Sequence, residues 1–265
     1  MKKRKLLSWF LCIMMVFSLI SVAPAPVMAE DAQEELTEKE LEKARESDVE
    51  ITGTDVPTQT VEWGEEETPS TRAAVNSEGK SHQMVLVLDV SGSMSGTPMT
   101  ELKKACNNFV DDILSEDPSA GIAIVTYASS VNVNTFSGKY FTSNRGSLRS
   151  VINSLSANGS TAMEAGLSKA DELLQESGNA DEKYIIQMAD GEPNVGKTYA
   201  GAGARYSGHG YANAVYNTFR GITNDYFIYA LGFFHNLSGS GKEFPARFMN
   251  DIQNQAYYEV TDADE

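Results

Sequence analysis

The sequence predicts an α/β domain built on a doubly wound, mostly parallel sheet with one antiparallel edge strand, preceded by a disordered acidic segment. Three observations carry that expectation. Near-continuous apolar runs, Met84–Leu88 and Tyr184–Ala189, stop at Asp89 and Asp190, as strands buried on both faces of a parallel sheet do. Segments with helical apolar spacing fall between such runs, the alternation that builds a three-layer α/β sheet. Residues 30–80 hold 16 acidic and 5 basic residues and few aromatics, too little apolar surface to offset the entropy of ordering.

The chain opens with Lys2, Lys3, Arg4 and Lys5, then an apolar run from Leu6 to Val22, and then Val27-Met28-Ala29. That is the pattern of an export signal over residues 1–29. The apolar run is close to the lower limit for a spanning helix, so a cleaved signal fits better than a retained anchor. The expected localisation is therefore secreted or cell-surface. Residues 30–80 follow as an acidic linker, with a short helix possible around Leu36–Ala44 from its Glu/Lys spacing.

The folded domain is expected over 81–265. Its first strand ends at Asp89. Thr97-Pro98 reads as a helix start, and Leu102, Ala105, Cys106, Phe109, Val110 and Ile113 continue at helical spacing. Pro118 and Gly121 end that helix, and Gly121–Tyr127 is a second strand. Val131, Val133 and Thr135 alternate with Asn132 and Asn134, as on an edge strand with one wet face. Helices are expected at Leu148–Leu155, Thr161–Leu174, Tyr211–Phe219 and Phe244–Ile252, and strands at Tyr184–Ala189, Tyr226–Phe234 and Tyr257–Val260. Thr161 and Glu164 are spaced as a capping box. Residues 261–265, Thr-Asp-Ala-Asp-Glu, have the composition of a helix cap and first turn. The expectation is a fragment whose closing helix is missing.

Composition narrows the partners. The formal net charge is −16, and an acidic domain repels phosphate backbones, which argues against nucleic acid. Cys12 lies in the signal core and leaves Cys106 alone, so no intrachain disulfide is expected. Cys106 sits on the apolar stripe of a helix and reads as packing. The signal and the lack of disulfides suggest a bacterial surface protein.

The chemistry is carried by oxygen. Asp89, Ser91 and Ser93 stand at alternate positions in the loop after the first strand, and Gly92 lets that loop turn closely. Thr161 at a helix start and Asp190 at the end of another buried strand can join them, because ligands bind beyond the carboxyl ends of strands in open α/β sheets. Each residue has an ordinary reading as a cap or turn; all five together point to a cation. Hard oxygen donors without His or Cys favour Mg²⁺, Mn²⁺ or Ca²⁺ over zinc.

Asp89-x-Ser91-x-Ser93, Thr161 within Gly159-Ser160-Thr161, and Asp190-Gly191 resemble the metal-ion-dependent adhesion site of von Willebrand factor A domains, over about Gln83 to Glu265. The resemblance implies that Ser91 and Ser93 touch the metal directly, that Thr161 touches it or acts through water, and that Asp89 and Asp190 often act through water. It implies a secreted or surface binding module, not an enzyme, that grips a partner's Asp or Glu carboxylate through the cation. The partner could be host matrix or another surface protein. The alternative is a structural or assembly component of a surface appendage whose metal only braces the fold. Ala189 departs from the family, which often has Thr there.

Gly191–Thr198 also fits the phosphate-loop pattern GxxxxGK[ST]. That motif needs a helix starting at the Lys. The glycine-laden stretch after Thr198 is a poor helix, and Pro193 removes a donor, so no nucleotide is expected. Tyr199, Tyr206 and His209, in the long connection after Asp190, are candidates for partner contacts, since such loops carry specificity.

Overall fold

The computed structural model describes residues 59–61, 80–178 and 180–260. The expected signal, most of the acidic linker and residues 261–265 lie outside them. The strands are β1 (Gln59–Val61), β2 (His82–Asp89), β3 (Gly121–Tyr127), β4 (Val131–Val133), β5 (Glu182–Ala189), β6 (Phe227–Gly232) and β7 (Ala256–Val260). The helices are α1 (Thr97–Glu116), α2 (Arg145–Ser154), α3 (Met163–Glu176), α4 (Gly210–Ile222) and α5 (Ser240–Asp251), with a single 3-10 turn at Gly92–Met94.

The sheet order is β1-β7-β6-β5-β2-β3-β4. Every pairing is parallel except β3 with β4, which is antiparallel. The expected sheet and its one antiparallel edge strand are both present. Strand β1 was not expected: it pairs with β7 from inside the stretch read as disordered.

Winding reverses at β2. Its neighbours are β3 on one side and β5 on the other, so the crossovers leaving β2 and entering β5 diverge and open a crevice above their carboxyl ends. Asp89 is the last residue of β2, and Asp190 is the first residue beyond β5. Leu88 sits in register with Met188, which brings the two carboxylates to one spot.

Alternate side chains of the central strands bury opposite faces of the sheet. Val85, Val87, Val125 and Ile185 join Leu167 and Leu174 of α3, Val215 and Phe219 of α4, and Phe248 of α5 in one core. Across the sheet, α1 buries Leu102, Cys106, Phe109 and Val110 and packs against α2. The Cys106 thiol lies 3.6 Å from the Met188 sulfur. Burial pushes the thiol pKa up, so Cys106 is an inert packing residue, as its place on the helical stripe predicts.

At the opposite end of the sheet from the crevice, the approach to β2 is tied down. Lys80 donates to Glu182 at 2.8 Å, and the Ser81 N–H and hydroxyl both reach Asp181 Oδ2 at 2.7 Å. The His82 ring lies between Asp117 at 2.7 Å and Glu182 at 3.5 Å.

Two of the expected helix caps do not form, and α2 and α5 begin three and four residues earlier than expected, at Arg145 and Ser240. Gly96, at φ 84°, is the residue before α1, one position earlier than the Thr97 cap expected. Helix α3 starts at Met163 after Ala162, so the Thr161–Glu164 capping box does not form. Glu164 instead accepts from Ser168, Lys197 and Thr218. The pattern fitted a cap, but a buried carboxylate found three donors elsewhere, a stronger arrangement than one backbone N–H.

Candidate metal centre

Three loops meet in the crevice. The first, after β2, carries Asp89, Ser91 and Ser93. The second, before α3, carries Thr161. The third, after β5, carries Asp190. Backbone hydrogen bonds hold the first two together: Gly92 N–H donates to Gly159 O at 2.9 Å, and Asn158 N–H donates to Val90 O at 2.8 Å. Val90 N–H in turn donates to Tyr127 O at 2.9 Å. This crossing needs glycine. A Cβ on Gly159, whose φ is +84°, would stand 2.7 Å from the Ser129 hydroxyl, and that hydroxyl accepts from Ser160 N–H at 2.9 Å.

Four of the five expected ligand residues are joined by hydrogen bonds. Asp89 Oδ1 accepts from Ser91 N–H at 2.8 Å, the Ser91 and Ser93 hydroxyls are 3.1 Å apart, and Ser93 donates to Asp190 Oδ1 at 2.9 Å. Thr161 is buried two residues along the chain from Gly159, where the loops cross. Asp89, Ser91, Thr161 and Asp190 are all buried, while Ser93 is exposed at the mouth.

Asp89 is fully buried, and its Oδ2 has no hydrogen-bond partner. Burial pushes its carboxyl up to about 7, against the hydrogen bonds from Ser91 and with a further push from the Asp190 charge. Asp190 is also raised, chiefly by burial and against the Ser93 hydrogen bond. Two adjoining buried carboxylates without a counter-charge are costly. A divalent cation among their oxygens and the two serine hydroxyls would remove that cost, so the donor set fits one. No three His, Cys, Asp or Glu side chains cluster as a ligand set among the described residues. A cation here would therefore draw on hydroxyls as well as on two carboxylates, a hard-oxygen set suited to Mg²⁺ or Mn²⁺.

The expected partner-contact residues separate. Tyr199 and His209 stay at the surface; Tyr199 donates to Ala202 O at 2.8 Å, and His209 Nδ1 is 2.7 Å from Glu192 Oε2 with its ring stacked 3.8 Å over Phe244. Tyr206 does not stay there. It is 4% exposed, its ring packs edge-on to Tyr216, Phe244 and Phe248, and its hydroxyl donates to Asp251 at 2.9 Å. The expectation of a partner contact at Tyr206 is corrected: the loop folds back and buries the ring under Arg205, which grips the same Asp251 through two nitrogens at 2.8 and 2.9 Å.

The phosphate-loop pattern lacks its geometry. Residues 193–200 contain no helix, α4 starts only at Gly210, and Lys197 is committed to Glu164 at 2.9 Å.

Sequence reasoning missed two residues that shape the crevice. Asn194 Oδ1 accepts from Thr161 N–H at 2.8 Å, and Asn236 Nδ2 donates to Ser93 O at 3.0 Å. Asn236 follows β6 and lies 143 positions from Ser93, a separation no local pattern signals.

A family model for the von Willebrand factor type A domain matches residues 83–265. The inter-alpha-trypsin inhibitor heavy chain H1 of Mesocricetus auratus is 24% identical over 174 residues, which are 62% of this chain and 17% of that protein; the chain thus spans under a fifth of this relative's length. Among solved structures, the vWF domain of the type V pili tip protein Mfa5 from Porphyromonas gingivalis superposes with a TM-score of 0.56 at 16% identity, over 69% of this chain and 90% of that one. The pilus adhesin SpaC from Lactobacillus rhamnosus GG superposes with a TM-score of 0.55 at 17% identity, over 71% of this chain and 29% of that one. The sheet order, the crevice and the match over residues 83–265 agree: the chain belongs to the von Willebrand factor type A domain family.

Proposed function

We propose that the chain is a non-enzymatic adhesion module at the cell surface, which holds a divalent cation in the crevice and grips an acidic group of a protein partner through it. The observation that carries this reading is Asp89, a fully buried carboxylate with one oxygen unpartnered, facing Asp190 across two serine hydroxyls. Ser91, Ser93 and Thr161 supply neutral oxygens, and Asp89 and Asp190 supply the balancing charge. With neutral hydroxyls as its direct ligands the cation stays electrophilic toward the mouth, where a partner's Asp or Glu completes its shell. Mg²⁺ is the expected ion, with Mn²⁺ a close substitute. Likeness to a pili tip protein and a pilus adhesin supports a surface role, and it equally supports the alternative of an appendage component in which the metal is structural.

The test is titration of Mg²⁺ or Mn²⁺ into the chain, alone and with acetate as a model carboxylate. Saturable metal binding, with acetate binding only in its presence, is expected. Metal binding that acetate leaves untouched selects the structural alternative, and no metal binding in either condition overturns the reading.

A pH dependence follows from Asp89. An unfolded Asp titrates near 4, whereas the metal-free folded carboxyl sits at about 7. The folded state then holds the extra proton, so the contribution of Asp89 to stability is fully present below about pH 4 and is lost as pH rises through about 7. Metal binding must displace that proton. Apparent Mn²⁺ affinity is therefore expected to climb from pH 5.5 to about 7 and then level off. A profile flat over that range contradicts the assignment.

A further inference from the structure

We infer that Asn194 and Asn236 are positioning residues for the cation site, each setting the place of one ligand-bearing loop, and that they do so through opposite ends of the same amide group. The inference rests on the metal reading above.

The two contacts differ in chemistry. Asn194 presents an acceptor: its Oδ1 takes Thr161 N–H at 2.8 Å, and its own N–H donates to Thr161 O at 3.1 Å. The pair closes a two-point clasp between the loop carrying Asp190 and the residue carrying the Thr161 hydroxyl. Asn236 presents a donor: its Nδ2 reaches Ser93 O at 3.0 Å. The orientation of each amide is fixed by its partner, since a backbone N–H cannot accept and a carbonyl cannot donate. Asn236 is itself held in place. Phe233 N–H donates to Ala189 O at 2.9 Å, and Leu237 N–H closes a turn onto Phe234 O at 2.9 Å, so the segment leaving β6 is strapped beside the start of the Asp190 loop.

These contacts matter because of what they do not touch. The Ser93–Asp190 bond joins two candidate ligands, and it must rearrange when their oxygens turn to a cation. The asparagine bonds go to main-chain atoms and leave the ligand hydroxyls free. They can hold Thr161 and Ser93 in place both before and after the cation arrives. Both asparagines are exposed at the rim, so neither is needed to fill the core. Groups that orient ligands in this way typically change metal affinity by about 10–100-fold when lost.

The same substitution at the two positions should then give opposite results. Asn194→Asp keeps an acceptor oxygen for Thr161 N–H, and its added negative charge favours a nearby cation. Asn236→Asp replaces the donor with a carboxylate facing the Ser93 carbonyl, which breaks the contact despite the same favourable charge. The experiment is calorimetric titration of Mn²⁺ alone into the parent chain, Asn194→Asp, Asn194→Ala, Asn236→Asp and Asn236→Ala. A melting curve of each in chelator reports the metal-free fold. The expected result is parent-like or tighter binding in Asn194→Asp, roughly 10–100-fold weaker binding in the other three, and metal-free melting temperatures close to the parent. Tighter binding in both Asp variants shows that charge alone acts and overturns the inference. So does an affinity loss matched by a collapse of the metal-free melting temperature, which marks an ordinary structural role. If the parent binds no Mn²⁺ either alone or with acetate, the metal reading fails; if the parent binds and the four variants match it, only the positioning assignment fails.

Discussion

Replacing Asp89 with Asn is expected to abolish metal binding while leaving the metal-free protein at pH 8 at least as stable as the parent. The two halves of this result have one cause. Asp89 is fully buried with Oδ2 unpartnered, and its carboxyl is pushed up to about 7. At pH 8 the parent therefore holds a charge in an environment that resists it. Asparagine keeps the oxygen that accepts from Ser91 N–H and removes that charge. The amide nitrogen still lacks an acceptor, a cost of about 1–3 kcal/mol, smaller than that of a lone buried charge. With one of only two carboxylates gone, Mn²⁺ affinity should fall by more than about 100-fold, since a direct or water-linked charge is lost and not merely an orienting group. Titration and chelator melting curves on one preparation check both halves. Retained metal binding, or a sharply lower metal-free melting temperature, contradicts the role given to Asp89.

Gly159→Ala is the second substitution with a large expected effect. The residue is at φ +84°, and a Cβ there would meet the Ser129 hydroxyl at 2.7 Å. Positive φ with a Cβ costs about 1–3 kcal/mol, and the clash adds to it. The hydroxyl cannot simply swing away, because it accepts from Ser160 N–H. The relief available is for the loop to lift, which breaks the Gly92–Gly159 crossing and carries Thr161 off the serine loop. Loss of stability and of metal binding should appear together. A Gly92→Ala control, whose Cβ would meet Gly159 O at a tight but tolerable 3.3 Å, should do less. Equal effects at both glycines contradict the account.

Much of this could be read in the sequence because the relevant physics is local. The runs ending at Asp89 and Asp190 marked two buried parallel strands, and the same two residues marked the switch point where the sheet reverses. Asp89, Ser91, Ser93 and Asp190, which hydrogen bonds join, were legible because a strand end and a turn are each short-range patterns. What was missed depends on distance along the chain. Asn236 reaches Ser93 across the fold, and nothing near either residue announces it. Tyr206 lies in a glycine-rich loop that reads as surface, yet Arg205 and Asp251 pin the loop down and the ring fills a gap beside Phe244 and Phe248. Thr161 and Glu164 had capping spacing, but Glu164 was claimed by Lys197 and Thr218, which sit on later elements. Strand β1 has only three residues, and its pairing with β7 draws on backbone groups, to which side-chain patterns are blind.

Strand β2 lies between two parallel neighbours, with seven register pairs to β3 and seven to β5. Its far end is latched through Lys80, Ser81 and His82, and its near end runs straight into the serine loop. Once the three-residue β1–β7 pairing has given way, a tether pulling on the residues before Lys80 and a ligand pulling on the serine loop would draw the same strand from its two ends. The inter-strand bonds on both sides would resist that pull lengthwise and together, not one at a time as in unzipping. Resistance to forced unfolding is a matter of rate, and this layout places β2, one of two eight-residue strands paired on both sides, on the line of tension.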